Sequence, residues 1–442
     1  MKLSYMRELD EYPTGGRRMR ILGMAVLAVL IGSYEGQIAP VVPLMLKDLH
    51  MSLSTYGTVS ALATIAGALA SVIGGRLTDT VGRVRLLIPF MLLTTVCCVL
   101  MTTVHSPTQL LLVRIALSVI DGMSLAGTAP IVRDFSPRMG RAQAFGFWTW
   151  GPVGANFLAA AIASATLPLF HDSWRSQFVI MGAVSLIASL VIAFNIADLS
   201  PRLRGRIRQT EHQALATSER ADPPRARELL AHRTIWAHVV GIALWLVLYL
   251  TLSLYGPTML GESFDLSAST ASGVMSVFWV LNLLTVVASG RISDRLQLRK
   301  PLCVFGTLAT AVVTGYLLIL MHRQDVSPAH VMITGALLGG AMGVSYGPWM
   351  ANFSEDAEDI DARLQGSAWG LFGFTSKAVA VLVLFAVPRV VGHAGWHLWM
   401  VISLGCMALF LPASLLFHGP WRRTSPLPAT TGAAAPEPGA SD

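Results

Sequence analysis

The stretch at residues 75–85 reads GRLTDTVGRVR, and a second stretch at residues 290–300 reads GRISDRLQLRK. Each stretch follows a run of apolar residues and combines a glycine, an acidic residue four positions later and several basic residues. Two similar turns at equivalent places indicate a duplicated architecture, with one turn in each half of the chain.

Long apolar runs surround both turns. Hydrophobic residues make up 53% and charged residues 13% of the 442 residues, and the mean hydropathy is +0.59. A soluble domain carries about 25% charged residues, so this composition excludes a water-soluble fold. A helix needs roughly 20 apolar residues to cross a hydrocarbon core about 30 Å thick. The sequence therefore predicts twelve transmembrane helices, at residues 20–42, 55–75, 86–104, 107–132, 143–167, 176–197, 235–258, 268–289, 301–321, 328–352, 366–388 and 395–417.

Polar segments divide these helices into two groups. We predict an all-α polytopic membrane protein with two pseudo-symmetric six-helix halves, at residues 20–197 and 235–417. A cytoplasmic N-terminal segment covers residues 1–19, and a central cytoplasmic loop covers residues 198–234. Residues 418–442 lack the apolar content needed to form a core, so they are predicted to be a disordered cytoplasmic tail.

The basic residues predict the orientation in the membrane. If the N-terminus is cytoplasmic, most of the 32 lysines and arginines lie in the tails and cytoplasmic loops, and outer loops carry only Lys47, Arg175, Arg323 and Arg389. The positive-inside rule then places both termini in the cytoplasm. The same distribution explains the net charge of +7 without a nucleic-acid partner. No small-residue cleavage site follows a short apolar core, so we expect the first helix to be retained.

Signatures of enzymes and metal sites are missing from the sequence. It contains no Gly-x-x-x-x-Gly-Lys-Ser/Thr loop, and its eleven histidines show no metalloprotease pattern. The four cysteines lie in predicted helices without metal-ligand spacing, which is typical of small packing residues. We therefore predict a protein that is not an enzyme and that uses no cofactor other than a proton gradient.

Four residues that are charged at neutral pH lie inside predicted helices: Glu35, Arg114, Asp121 and Lys377. An ionised group at bilayer depth costs at least about 2.5 to 3.5 kcal/mol, so such groups normally face a cavity and a partner. Arg114 and Asp121 are seven residues apart, which places them on the same face of one helix, roughly 10 Å apart. The formal charges of the four groups sum to zero, so they can compensate one another before a substrate anion and a proton arrive.

These residues define a candidate transport site. Arg114 from one half and Lys377 from the other are predicted to hold an anion, and Asp121 and Glu35 are the candidate proton-coupling acids. Asn156 is a candidate hydrogen-bonding partner, although a packing role within its helix remains open, and the same holds for Asn282. Aromatic residues in several helices either line the path or belong to the core and the membrane interface: Tyr249, Tyr255, Tyr346 and Trp349.

The two turns resemble the loop signature of the major facilitator superfamily, Gly-x-Leu-x-Asp-Arg-x-Gly-Arg-Arg. The first turn matches it at Gly75, Leu77, Asp79, Gly82 and Arg83, and the second keeps Gly290, Asp294 and Arg295 but lacks the second glycine. The resemblance extends over nearly the whole chain. It implies alternating access around a site at the bilayer midplane, a monomer, and, together with the compact loops, a bacterial plasma membrane.

The same resemblance assigns a gating role to the conserved positions of both turns. Gly75 would let its helix approach a neighbour closely, and Asp79 would pair with Arg83 or cap a helix. The remaining gating candidates are Gly82, Gly290, Asp294 and Arg295. Alternatively, the turns orient the helices only through their positive charge.

Helix 4 resembles the anion:cation symporter branch of the superfamily, where an arginine is followed by glycine four and glutamate seven residues later. Here the three positions hold Arg114, Ser118 and Asp121. The resemblance implies that Arg114 holds a substrate carboxylate and that Asp121 couples the proton. The branch's Asn-Tyr-x-Asp-Arg motif in helix 1 is represented by SYEGQ at residues 33–37. Tyr34 matches the motif and is a further candidate substrate-binding residue, with Asn156, and Glu35 stands one position from the acid.

We therefore predict proton-coupled symport of a small organic anion. The alternative is a proton-coupled efflux antiporter, because GFWTWGPVGA at residues 146–155 resembles the drug-exporter signature Gly-x-x-x-Gly-Pro-x-x-Gly-Gly, with the first glycine displaced by one position. A receptor on the same scaffold is a third possibility, but buried charges are expensive to keep without a transport role. The acidic stretch at 355–361 is predicted to lie in a cytoplasmic loop. It is either solvated or, when the inner gate closes, paired with basic loop residues such as Arg295.

Overall fold

A computed structural model describes residues 8–136, 141–207, 226–323, 325–361 and 364–422. The side chains at positions 79, 141–146, 149, 226 and 227 lie outside this description. The candidate gating residue Asp79 is therefore described by its backbone only.

Within the described residues, the chain forms twelve long helices. The first ten are α1 (Gly15–Glu35), α2 (Leu53–Val81), α3 (Arg83–Met101), α4 (Pro107–Leu125), α5 (Arg141–Thr166), α6 (Trp174–Asn195), α7 (Arg233–Phe264), α8 (Ala268–Leu296), α9 (Lys300–Leu320) and α10 (Pro328–Asp361). A helical run at Gln365–Leu415 breaks at Gly395, where φ 74° and ψ 173° are not helical. We call its two parts α11 (365–394) and α12 (396–415). Each of these helices contains an apolar stretch long enough to span a membrane, as predicted from the sequence.

Short elements connect the long helices. A 3₁₀ turn, Ala39–Val41, and a short helix, Val42–Asp48, follow α1, and another short helix, Thr128–Phe135, follows α4. Strands β1 (Glu8–Leu9) and β2 (Asp198–Leu199) pair in parallel, so the start of the central segment is tied to the N-terminal segment. Residues 201–207 are helical, and a 3₁₀ helix at Ala226–Ala231 precedes α7. The predicted fourth span, 107–132, lies within an apolar segment at Pro107–Phe135, but the helix is interrupted between Leu125 and Thr128.

The first turns of α2 and α8 are alike in detail. Ser52 and Ser267 are the N-caps, and each serine Oγ accepts a hydrogen bond of 3.1 Å from the backbone N–H of Thr55 or Thr270. The sequences SLST at 52–55 and SAST at 267–270 share these serine and threonine positions. Serine at the N-cap satisfies a backbone donor that has no partner in the helix. This second repeat, which the sequence analysis missed, supports two equivalent six-helix halves.

Six consecutive helices return the chain to the end of the bundle at which it started. One end therefore contains β1, β2, the start of α7 and residues 416–422. We call this end the terminus side and the other end the far side. The halves meet on the far side through α2 against α11 and α5 against α8. A methyl group at Gly57 would lie 2.3 Å from the carbonyl oxygen of Leu384, and one at Gly273 would lie 2.9 Å from Ser164 Oγ. The approach at Gly57 requires glycine because the facing atom belongs to the backbone, whereas the Ser164 hydroxyl that faces Gly273 can rotate.

Hydrogen bonds also cross between the halves towards the far side. Ser269 Oγ donates to the carbonyl oxygen of Ser164 at 2.9 Å, and Ser253 Oγ donates to Asn156 Oδ1 at 2.9 Å. On the terminus side, by contrast, added methyl groups at several glycines would find no described atom within 4 Å: Gly75, Gly290, Gly366, Gly370 and Gly373. The halves are thus joined on the far side and parted on the terminus side.

Candidate functional site

The four predicted intramembrane charges come together between the halves. Glu35 ends α1 and is 0% exposed, and Arg114 on α4 is 8% exposed. Asp121, two turns after Arg114, lies close enough to both Arg114 and Lys377 for their charges to interact. Glu35 in turn interacts with Asp121. Side chains from α1, α4 and α11 therefore form one charged site, which includes one residue from the second half.

Several polar atoms at this site have no hydrogen-bond partner in the part of the chain that the structure describes. They are both carboxyl oxygens of Glu35, Oδ1 of Asp121, and Nε and Nη1 of Arg114. No ion pair joins Arg114 to Asp121 among the described residues, so the charges compensate one another without direct contact. A buried charge without a partner is costly. The site therefore has unused capacity to bind a proton and an anion.

Close packing holds the two acids near each other. A methyl group at Gly32 would lie 2.9 Å from Asp121 Oδ1 and 2.8 Å from Leu125 Cδ2, so α1 and α4 approach closely at this glycine. Thr94 on α3 and Ser185 on α6 are near enough to interact with the Glu35 carboxyl. These two hydroxyl groups were not predicted, because neutral residues in apolar helices carry no distinctive sequence signal.

Two further residues contribute to the site. Cys98 was predicted to be only a packing residue, and Tyr56 was not predicted at all. Cys98 on α3 lies close enough to interact with Glu35, Asp121 and Arg114. Tyr56 on α2 interacts with Arg114, and its ring meets that of Tyr255 on α7 edge to face, with centroids 5.9 Å apart. Tyr255 donates a hydrogen bond of 3.2 Å to the carbonyl oxygen of Leu384. An aromatic pair from the two halves thus links Arg114 to the far-side contact.

Lys377 faces the gap between the halves. Its side chain is exposed, and Gly366, Gly370 and Gly373 precede it at helical spacing on α11 and border open space. A lysine near the middle of a spanning helix would have to stretch far to reach the membrane surface. Its interaction with Asp121 of the other half explains why it remains in the middle.

Asn156 and Tyr34, the other predicted substrate contacts, are packed away from the gap in this conformation. Asn156 is 6% exposed; its Nδ2 donates to the carbonyl oxygen of Pro152 at 3.1 Å, and its Oδ1 accepts from Ser253. Tyr34 is 1% exposed and borders a small far-side cavity with Gln37 and Gln177. The structure therefore makes Asn156 a contact between the halves. Asn282 likewise donates to Gly339 O at 3.1 Å, between α8 and α10.

The first turn of the repeat anchors to its own half. Arg83 is 1% exposed; it forms an ion pair with Asp134 and donates from Nη1 to the carbonyl oxygen of Pro130 at 2.8 Å. Its backbone N–H donates to Asp198 Oδ2 at 3.0 Å. Gly82 has φ +108°, which favours glycine. Arg83 thus pairs with Asp134, a partner that lies 51 residues along the chain and was not predicted.

Close approach on α2 occurs one residue before the predicted position. A methyl group at Gly74 would lie 2.8 Å from Met123 Cα, whereas Gly75 faces open space. The expected close contact at Gly75 is therefore wrong for this conformation, because the terminus side is parted where Gly75 lies. Gly290, its counterpart on α8, also faces open space.

The second turn pairs with the acidic stretch through an unpredicted arginine. Arg299, between α8 and α9, forms ion pairs with Asp294 and, at 2.9 Å, with Glu355, while Arg295 is exposed. Burial of Arg299 favours its neutral form, but the hydrogen bonds to Glu355 and Asp294 outweigh this and raise the pKa of Arg299. In this conformation, in which the terminus side is parted, the acidic stretch pairs with Arg299. Pairing with Arg295 when that side closes stays a prediction.

The acidic stretch is helical and partly buried, which corrects the prediction of a solvated loop. It forms the end of α10, where Asp356 is 3% exposed and lies 2.7 Å from His238 Nε2. Lys300 Nζ donates to the carbonyl oxygen of Phe417 at 3.0 Å, and His418 Nδ1 lies 3.4 Å from Asp356 Oδ1. The predicted tail therefore does not begin at residue 418, and residues 423–442 lie outside the described residues.

We expect Asp134→Asn to destabilise the protein, because it removes a countercharge from the buried Arg83 guanidinium. Removing one partner of a buried pair costs about 3–5 kcal/mol. The thermal unfolding midpoint of the purified protein in detergent measures the effect. Glu8→Gln, which removes the partner of the half-exposed Arg85, is the control and should cost at most about 1 kcal/mol. Equal midpoints for the two variants would contradict the anchoring role of Arg83.

Comparisons with known proteins agree with this architecture. The sequence model of the Major Facilitator Superfamily matches residues 21–384. The niacin transporter NiaP of Acinetobacter baylyi is 24% identical over 453 aligned residues, covering 92% of this chain and 95% of NiaP. The quinolone resistance protein NorA of Staphylococcus aureus is 24% identical over 199 residues, 45% of this chain and half the length of NorA.

A solved structure has the same fold. The crystal structure of a D-xylose-proton symporter superposes with a TM-score of 0.70 at 18% identity, covering 92% of this chain and 98% of the symporter. At this identity the likeness shows the fold alone. The arrangement of twelve helices in two halves is therefore the one found in known transporters.

Proposed function

The chain belongs to the Major Facilitator Superfamily of membrane transporters, and from the charged site between its halves we propose that it is a proton-coupled symporter of a small organic anion. One observation carries the proposal. Both carboxyl oxygens of Glu35 and Oδ1 of Asp121 are buried without a hydrogen-bond partner among the described residues, and Asp121 lies within reach of the charges of Arg114 and Lys377.

Charge balance explains how the anion and the proton are coupled. With both acids ionised, the four charges of the site cancel, and an incoming carboxylate meets no net positive charge. A proton on Asp121 frees the charges of Arg114 and Lys377 for the carboxylate, and the loaded site is again neutral. Arginine suits this role because its guanidinium binds a carboxylate through two parallel hydrogen bonds. The proton and the anion therefore each favour binding of the other.

Transport follows from alternate opening of the two sides. The gap is open on the terminus side, and far-side contacts at Gly57 and Gly273 close the opposite entrance. We propose that the terminus side is cytoplasmic and that the membrane is the plasma membrane, which the distribution of lysine and arginine supports. The conformation is then inward-facing. Binding from outside requires parting α2 from α11 and α5 from α8.

The relatives leave both direction and substrate open. The similarity to a niacin transporter is in keeping with a small-molecule organic anion as the substrate, because niacin is a carboxylic acid. The alternative, proton-coupled efflux, is favoured by the glycines of the exporter-like motif in α5. Methyl groups at Gly151 and Gly154 would lie 2.5 Å from Val29 Cγ1 and 2.9 Å from Leu30 Cδ1, so this motif packs α5 closely on α1. The similarity to NorA points in the same direction.

Proteoliposomes containing the purified protein test the proposal. With an acidic exterior and a neutral interior, we expect radiolabelled monocarboxylates to accumulate and a luminal dye to report acidification that requires the carboxylate. A proton ionophore should abolish the accumulation. The opposite result would be luminal acidification that requires amphipathic cations instead of carboxylates, with the cations leaving the liposomes as protons enter. That result would support efflux and overturn symport.

A further inference from the structure

Aromatic rings form a continuous stack in the second half. Trp245 on α7 stacks with Tyr249 at 5.5 Å and 25° and with Tyr346 on α10 at 5.2 Å and 18°. Tyr346 stacks on Trp349 at 5.7 Å and 19°, and Trp349 stacks on Phe353 at 5.4 Å and 6°. The near-parallel rings of these five residues form one aromatic stack, which we call the aromatic wall. Trp245, Trp349 and Phe353 are buried in it, and Tyr249 and Tyr346 are partly exposed.

The aromatic wall extends to the interface between the halves. Its tyrosines, Tyr249 and Tyr346, are partly exposed, and Tyr249 lies close enough to interact with Asn156 of the other half. Phe372 on α11 packs against Trp349 with centroids 5.5 Å apart and precedes Lys377 by five residues. The wall therefore reaches the interface between the halves, and its α11 neighbour belongs to the helix that carries Lys377.

Polar groups within the wall also lack partners. Nε1 of Trp245 and Nε1 of Trp349 are buried and have no hydrogen-bond acceptor among the described residues. A buried indole N–H usually finds an acceptor. Trp245 and Trp349 are at most 1% exposed, so these donors lie beneath the partly exposed tyrosines and do not face a ligand in this conformation.

The two sides of the gap differ in chemistry. The first half contributes Arg114, Asp121 and Glu35, and the second contributes the aromatic wall and Lys377. Ligand sites commonly combine an apolar surface with a few polar groups that fix orientation. We propose that the substrate is a planar aromatic carboxylate, whose ring packs on Tyr249 and Tyr346 and whose carboxylate binds Arg114 and Lys377. This inference rests on the proposed function and adds the substrate class.

Binding of three matched probes to the purified protein tests the inference by calorimetry. Benzoate carries both features, cyclohexanecarboxylate has the same carbon skeleton without a planar ring, and benzamide has the ring without the charge. We expect benzoate to bind about tenfold more tightly than cyclohexanecarboxylate, equivalent to about 1.4 kcal/mol, and benzamide to bind more weakly than benzoate.

Variants of the aromatic wall separate loss of the ring from loss of the fold. Tyr346→Leu should reduce the preference for benzoate over cyclohexanecarboxylate to threefold or less, as expected when one aromatic contact is lost. Tyr346→Phe should retain the preference. Tyr316→Leu is the matched control, because Tyr316 lies on α9 and its hydroxyl bonds to His330.

The outcomes distinguish the two proposals. Equal affinities for benzoate and cyclohexanecarboxylate, with carboxylate-dependent proton uptake in liposomes, would overturn the aromatic substrate and leave the symport proposal standing. Benzamide binding as tightly as benzoate would overturn the anionic substrate, and with it both proposals. Failure of both carboxylates to bind would also overturn both.

Discussion

Asp121→Asn is expected to abolish accumulation of the substrate against its gradient while leaving exchange of internal and external substrate intact. Asparagine is a close steric match for a protonated aspartate but cannot release the proton, so the anion site formed by Arg114 and Lys377 persists without coupling. Affinity for the anion should rise with falling pH in the wild type and become independent of pH in the variant. Coupling free energies between sites correspond to about 5- to 150-fold changes in affinity.

Radiotracer uptake and counterflow in the same proteoliposomes measure the two activities separately. Asp121→Glu keeps a titratable carboxyl and should retain part of the accumulation. Asp172→Asn, an exposed acid on the far side, should behave as the wild type. Undiminished gradient-driven accumulation by Asp121→Asn would remove Asp121 from the coupling mechanism. Loss of accumulation in Glu35→Gln alone would transfer that role to Glu35.

Gly57→Ala is expected to prevent the far side from closing. The added methyl would lie 2.3 Å from the carbonyl oxygen of Leu384 and 2.8 Å from Pro388 Cγ, and a backbone atom cannot rotate away. Overpacking of this kind costs about 1–3 kcal/mol, which changes the ratio of the two conformations by about 5- to 150-fold. The conformation described above should be depopulated, and uptake should fall by at least about tenfold, since a full cycle requires both conformations.

Accessibility of a cysteine introduced at Ser376, beside Lys377, reports the conformation. Labelling from the terminus side should slow when Gly57 carries a methyl group. Gly405→Ala on the outer surface of α12 is the control, because an added methyl there meets no described atom within 4 Å. Wild-type labelling and transport in Gly57→Ala would show that the contact of α2 with α11 is not required for closure.

The helices and charged residues of the site were predictable because their signals are local. A run of about 20 apolar residues spans a bilayer wherever it occurs, and a charge within such a run stands out. The far-side contact at Gly57 was not predictable, because its partner, Leu384, belongs to another helix and carries no distinctive side chain. Asn156 was predicted as a polar group in a helix, but its pairing with Ser253 depends on how the halves meet.

The acidic stretch shows the same limit. Glu355 and Asp356 read as part of a solvated charge run, because the residues that pair with them are distant in sequence. Arg299 lies 56 residues before Glu355, and His238 lies 118 residues before Asp356. Tertiary pairing extends α10 to Asp361, nine residues beyond the predicted end at 352. Sequence patterns locate ionisable groups, but partner geometry determines whether those groups are solvated.

The break at Gly395 ties the gate to the surrounding lipid. A single non-helical residue separates α11 from α12, so α12 must move when α11 tilts. The outer surface of α12 exposes Leu398, Leu409 and Leu415. Helices adjust their tilt to the hydrophobic thickness of the bilayer at a modest free-energy cost. Membrane thickness should therefore alter how fast the far-side contact of α2 with α11 opens. Turnover rates in vesicles of short-chain and long-chain lipids measure this effect, and equal rates would mean that the two helices move independently.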